Sequence, residues 1–327
     1  MLEDDMQSEL PDSGGEVAED DYVHYIGEKP QFDFETKDYI TIIEMLKILD
    51  WERAYKVSGS GFYYWVGKGA ELAQAMYFWA QKELVKRGFE LFMPPCLVKR
   101  KIFTLLSRVK IERESESKLN FLGRISKLFL PINTSEYTLV GYHENELIDA
   151  KTLPRFYVAY TPCFRTKINS MYSRGIFNSR QFHKVEQIVF CLPDESRECH
   201  EKCLTNEEDL LRFLGIPYKV VKASTPDSGD TYHVDKYDIY AWYPGSKCYY
   251  EVMSNTNFKD EQSRSLQILY QDKDGKSDFV HTISATGLTD RVVYAILENN
   301  QRKDGSVVVP EVLRPYTGFD VIEPLGK

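Results

Sequence analysis

Between Tyr157 and Cys191 the chain reads as two apolar strands joined by a long polar, basic loop, and this hairpin constrains the fold more than any other stretch. The first strand ends in Phe164-Arg165. The second carries Arg180-Gln181-Phe182 and then Lys184-Val185-Glu186. Cations, an aromatic face and a carboxylate therefore converge on one sheet surface. Guanidinium groups pair with phosphate oxygens in a fork, an aromatic ring offers a stacking face to a base, and a carboxylate accepts from an ammonium. That combination suits ATP together with an amino acid.

At 327 residues and 43% hydrophobic content the chain can bury a sizeable core, as one large domain or two modest ones. The 22 Tyr and 18 Phe, with many Val and Ile, favour a sheet-rich mixed fold over a helical bundle. A formal net charge of −9 argues against indiscriminate attraction to nucleic acid but leaves room for a local basic groove. Six cysteines without an N-terminal apolar run point to a reducing, cytoplasmic setting. No run of ~20 apolar residues is present, so a membrane span is not expected. Cys199-His200 followed by Cys203 could form a metal corner; lacking a second pair at suitable spacing, it is better read as two thiols on one helical face.

Residues 1–26 are acidic and carry Pro11 and Gly14-Gly15, the composition of a solvated tail, and 27–327 are read as one domain. Helical periodicity is expected at 36–49, at 67–88 between two glycines, at 195–214 and at 291–300. Within 90–98, which alternates poorly and holds Pro94-Pro95, a strand leading into a forced turn is expected, and further strands at 156–164, at 182–191, at 218–223, and as a hairpin at 237–243 and 249–253 across Pro244-Gly245. Residues 99–127, with a charged knot at 110–118, read as a solvated insertion. Helices interleaved with antiparallel strands define an α+β class.

The hairpin resembles motif 2 of class II aminoacyl-tRNA synthetases, and specifically of seryl-tRNA synthetases. Lys56-Val-Ser-Gly-Ser-Gly-Phe-Tyr-Tyr64 and Gly88-Phe-Glu-Leu-Phe-Met-Pro-Pro95 resemble the start of that catalytic domain and motif 1. Tyr249-Tyr-Glu-Val-Met-Ser254, His281-Thr-Ile and the stretch from Ala295 through Asn299-Asn-Gln-Arg-Lys-Asp-Gly305 to Tyr316 resemble its end. The resemblance implies an antiparallel sheet flanked by helices and a dimer formed through motif 1, either a homodimer or a heterodimer with a synthetase-type subunit. It also implies ATP and Mg2+ as ligands.

By the same resemblance Thr134 and Glu136, in Asn133-Thr134-Ser135-Glu136, and Glu186 would receive the amino group of serine, and Thr286 its hydroxyl. Arg165 would bridge the α-phosphate and the amino acid carboxylate, Phe182 would be the adenine platform, Glu251 and Ser254 would hold magnesium, and Arg291 would grip the γ-phosphate. On residue chemistry alone, Thr134-Ser135 before an acid fits a helix cap equally well.

Several positions depart from the pattern. Phe-Arg-x-Glu is Phe164-Arg165-Thr166-Lys167 here, the loop arginine is Asn178, with Arg174 or Arg180 as possible substitutes, and Tyr-Asp-x-Glu-x-Trp is Tyr237-Asp238-Ile-Tyr240-Ala-Trp242. The Asn-Gly-Ser/Thr word is Ser284-Ala285-Thr286, the interval to Arg291 is one residue short, and Asp290 replaces a glycine. A one-residue deletion at a helix start turns the rest of the helix by about 100°, which would misplace Thr286 and Arg291. Losing one such transition-state contact costs roughly 100- to 1000-fold in rate. The family's long N-terminal helical hairpin for tRNA is not found before Gly27, so tRNA capture by that arm is not expected. Two readings stand side by side: a binding or regulatory paralogue impaired in adenylation, favoured by these losses, or an active serine ligase charging tRNA or a carrier protein.

Overall fold

The computed structural model describes residues 22–106, 128–165, 177, 179–223 and 235–324. Lys167, Arg174 and Asn178 lie outside the described residues, as do 1–21, all but the first residues of the 99–127 insertion, and the loop at 224–234.

Eight strands build the central sheet: β1 (Tyr22–Ile26), β2 (Glu90–Phe92), β3 (Arg155–Phe164), β4 (Gln181–Cys191), β5 (Tyr218–Ala223), β6 (Asp235–Tyr243), β7 (Cys248–Lys259) and β8 (His281–Thr289). Their spatial order is β1-β5-β6-β7-β8-β4-β3-β2. Every pairing is antiparallel except that of β2 with β3. Residues 22–26, assigned to the tail from composition, instead pair with β5 as an edge strand.

The long β3–β4 hairpin pairs without interruption from Arg155↔Phe190 to Phe164↔Gln181. Side chains alternate, so His183, Val185 and Gln187 share one face and Phe182, Lys184 and Glu186 the other. On the first face lie helices α1 (Tyr39–Leu46), α2 (Lys68–Lys86), α3 (Ser196–Phe213) and α4 (Asp290–Asn299), which form the main core with the sheet. Tyr77 of α2 packs on Tyr160 of β3, and Gln187 is held between Asn206 and the Cys203 carbonyl of α3. The 36–49 helix is shorter than its periodicity suggests because Lys47 turns left-handed, and Leu49–Asp50 then forms a small strand.

On the opposite face a second core, including Ile188 and Phe190 of β4, sits under the short helices Arg100–Leu106, Glu136–Gly141 and Glu261–Leu266. It covers only the Cys191 end of the hairpin. At the other end the residues of β3 facing Phe182, Lys184 and Glu186 are Cys163, Thr161 and Ala159. Small side chains there leave a trough, while Tyr160, Val158 and Phe156 face the helices. The strand from Glu90 ends at Phe92, ahead of the turn that Pro94-Pro95 forces, and beyond the turn Leu97–Lys99 forms a strand of another sheet.

Candidate active site

Two β-bulges shape the trough. Opposite β6 the register shifts between Ile239 and Tyr240, so Val252 is an extra residue in β7. A bulge reverses the alternation, and Glu251 and Ser254, three apart, both line one cleft. In β8 the register shifts between Thr286 and Leu288, making Gly287 the extra residue. A Cβ at Gly287 would stand 2.9 Å from Val185 Cγ1 and 3.2 Å from Leu84 Cδ1, so the close approach needs glycine. Thr286 and Thr289, again three apart, both line the cleft.

The cleft encloses about 550 Å³, including the part open to solvent. Arg165, Phe177, Phe182, Lys184, Glu251, Ser254, Thr286 and Arg291 are among its walls. The Arg165 guanidinium lies 4.7 Å from the Phe182 ring centroid, and that of Arg291 lies 5.3 Å from Phe177. Arg291 Nη1 donates to the Glu251 carbonyl at 2.6 Å, and the Ser254 N–H donates to Thr286 Oγ1 at 3.4 Å. The shortened interval before Arg291 thus does not carry Arg291 or Thr286 away: the bulge at Gly287 and the α4 start deliver both to the cleft wall.

Beside the cleft stands an acidic end. Glu186, buried at 2% exposure, accepts from the hydroxyls of Thr134 at 3.1 Å and Ser284 at 3.0 Å and forms an ion pair with Lys184. Glu136 accepts from Gln262 Nε2 at 2.7 Å. Loss of solvent, and then the neighbouring Glu186 charge, push the Glu136 carboxyl up to about 7. The Thr134 hydroxyl also accepts from the Glu136 N–H at 3.3 Å, so it braces the start of that helix as well as Glu186. The residues singled out from the sequence therefore gather at one locus. Gln262, Phe177 and Ser284's bond to Glu186 were not foreseen; Gln262 sits in a helix with no sequence word to mark it.

Asp290 is not a passive replacement for glycine. Its buried carboxylate accepts from Tyr63 Oη at 2.7 Å, the His183 N–H at 2.6 Å and Tyr77 Oη, and Trp65 Nε1 lies at 3.4 Å. Burial, then the Asp290 charge, raise the Tyr63 and Tyr77 hydroxyls well above the ordinary phenol range. Arg180 donates from Nε to the Ser60 carbonyl at 3.1 Å. Tyr240, where the resemblance has an acid, pairs directly across from Glu251. Cys199 and Cys203 are buried on α3, the His200 ring contacts the Asn255 carbonyl at 3.4 Å, and no group of three metal-binding side chains occurs among the described residues.

Residues 127–300 match the tRNA synthetase class II core domain (G, H, P, S and T), and the antiparallel sheet with its cleft has that architecture. Serine–tRNA ligase of Corynebacterium efficiens is 39% identical over 312 residues, covering 94% of this chain and 73% of its own. That of Pyrococcus abyssi is 42% identical over 300 residues, covering 89% of this chain and 64% of its own. Among solved structures, seryl-tRNA synthetase from Pyrococcus horikoshii complexed with ATP superposes with a TM-score of 0.79 at 38% identity, covering 90% of this chain and 66% of that one. Cytoplasmic serine-tRNA ligase from Naegleria fowleri in complex with AMP gives 0.81 at 27% identity, covering 93% of this chain and 72% of that one. The chain belongs to the seryl-tRNA synthetase family.

Proposed function

We propose that the chain is a serine-activating ligase that joins serine to the α-phosphate of ATP, giving seryl-adenylate and pyrophosphate. The observation that carries this reading is the single cleft in which Arg165, Arg291 and Phe182 adjoin the Glu186–Glu136–Thr134 end. Relatives named serine–tRNA ligase, and neighbours holding ATP and AMP, support it.

In that reaction Arg165 would hold the serine carboxylate against the α-phosphate and offset their mutual repulsion, with Phe182 under adenine and Arg291 on the outer phosphates. Glu186, Glu136 and Thr134 would take the ammonium, and Thr286 the hydroxyl. Catalysis comes from positioning and charge neutralisation, without a covalent enzyme intermediate. The Glu251 carboxylate and the Ser254 hydroxyl, placed on one face by the bulge, are hard oxygen donors that fit magnesium. Bound there, the ion would neutralise phosphate charge. For the acceptor we propose tRNA or a carrier protein. We also propose a dimer through the motif 1 segment, where Met93 is 96% exposed beside the exposed Leu91 and Leu97. No helix among the described residues is long and apolar enough to cross a membrane.

Impaired adenylation, with a binding or regulatory role, is the second reading, favoured by Tyr240 facing Glu251 in place of an acid. Serine-dependent exchange of labelled pyrophosphate into ATP separates the two. Exchange above background supports the ligase; none, from folded protein with magnesium, supports the paralogue.

A further inference from the structure

Lys184 occupies an unusual place for a lysine. Its side chain is 14% exposed and its ammonium pairs with Glu186, which already accepts two hydroxyls. The same lysine lines the cleft with Arg165. Its neighbour across the hairpin is Thr161, too small to clamp the four-carbon stem. A lysine ammonium is a compact point charge on a flexible chain, able to change partners at little geometric cost.

The carboxylate suited to a substrate ammonium is thus engaged by an ammonium of the protein. An amino acid brings both charges. Its ammonium can take Glu186 while the displaced lysine turns to its carboxylate, so one internal ion pair becomes two. An amine lacking a carboxylate would leave the mostly buried Lys184 only the neighbouring Glu136, whose carboxyl burial favours in its neutral form, in place of Glu186, which is unfavourable. An acid lacking an amine would find Lys184 held back by Glu186.

We propose that Lys184 is an exchangeable counter-ion, which pairs with Glu186 and passes to the substrate carboxylate when a zwitterion enters, selecting ligands that carry both groups. The inference rests on the serine-binding reading of this cleft and adds to it the basis for rejecting half-ligands.

Calorimetric titration of the full chain without ATP, using serine, ethanolamine and acetate, tests it. In Lys184→Met, ethanolamine should bind about tenfold more tightly than to the wild type, whereas Lys184→Arg should keep the wild-type weakness. In the unaltered protein, saturating acetate should strengthen ethanolamine binding about threefold, and ethanolamine should strengthen acetate equally, as linkage requires. Ethanolamine affinity unmoved by acetate in the wild type, or unimproved in a folded Lys184→Met, overturns the exchange. Serine binding by the wild type reports separately on the serine reading: its absence alongside coupled amine and acid binding would sink that reading and keep the exchange.

Discussion

Replacing Asp290 by glycine would make the chain look more like its relatives at motif 3, yet the structure predicts damage. The carboxylate gathers the Tyr63 and Tyr77 hydroxyls and the His183 N–H, with Trp65 at longer range. Tyr77 is buried, so its hydroxyl would lose its acceptor away from water, and so would the His183 N–H, whereas the Tyr63 hydroxyl, although also buried, keeps the Tyr294 hydroxyl as a neighbour. Hydrogen bonds to a charged group contribute about 1.5–3 kcal/mol each. Two that cannot be replaced give an expected loss of about 3–5 kcal/mol for Asp290→Gly. At roughly 2–4 °C per kcal/mol for a domain of this order, the melting temperature should fall by about 10 °C. Because Arg291 is the next residue and is bonded to the Glu251 carbonyl, ATP affinity should fall as well. Thermal unfolding and calorimetric ATP titration, with Tyr77→Phe alongside, read both effects. A variant that melts within a degree or two of the wild type and binds ATP as well would refute the idea that Asp290 anchors the start of α4.

Three further outcomes can be checked. Burial pushes the Glu207 carboxyl well above its usual range, against a smaller opposing pull from the Asn255 side chain; a raised folded-state value means stability is lost as pH rises above the unfolded value near 4.5. Glu207→Gln should therefore gain on the order of 1–2 kcal/mol at pH 8 and nothing near pH 4, measured by urea unfolding. Glu136, pushed up to about 7 by burial, binds an ammonium better when ionised, so serine affinity should rise between pH 6 and 8, and Glu136→Gln should flatten that rise in calorimetric titrations. Gly287→Ala forces a methyl against Val185 and Leu84 and should cost about 1–3 kcal/mol in urea unfolding, with weaker ATP binding.

The hairpin and its neighbours were legible because their signals are local. Apolar runs on either side of a polar, basic loop placed β3 and β4, glycines bracketed α2, and Asp290–Asn299 and Ser196–Phe213 fall within a residue or two of their periodicity. Strand β1 was not legible, since acidic flanking composition masked five residues whose order comes from long-range pairing with β5. At the site, sequence words named the residues but not their geometry. Counting residues before Arg291 indicated a rotation, whereas the chain has a bulge at Gly287 whose need for glycine comes from Val185 and Leu84, distant in sequence. Asp290 looked like a loss for a similar reason: its partners Tyr63, Tyr77 and His183 come from three separate segments.

The bulge at Val252 also sets how β7 responds to substitution. On its Cys248 side odd-numbered residues such as Tyr249 and Glu251 face the ligand side of the sheet, and beyond it even-numbered ones such as Ser254 do. A position-by-position scan should show a sensitivity pattern of period two whose phase jumps between 251 and 254. A library meant to alter ligand preference should track that jump, since one drawn on strict alternation would spend half its diversity on the helix-packed core.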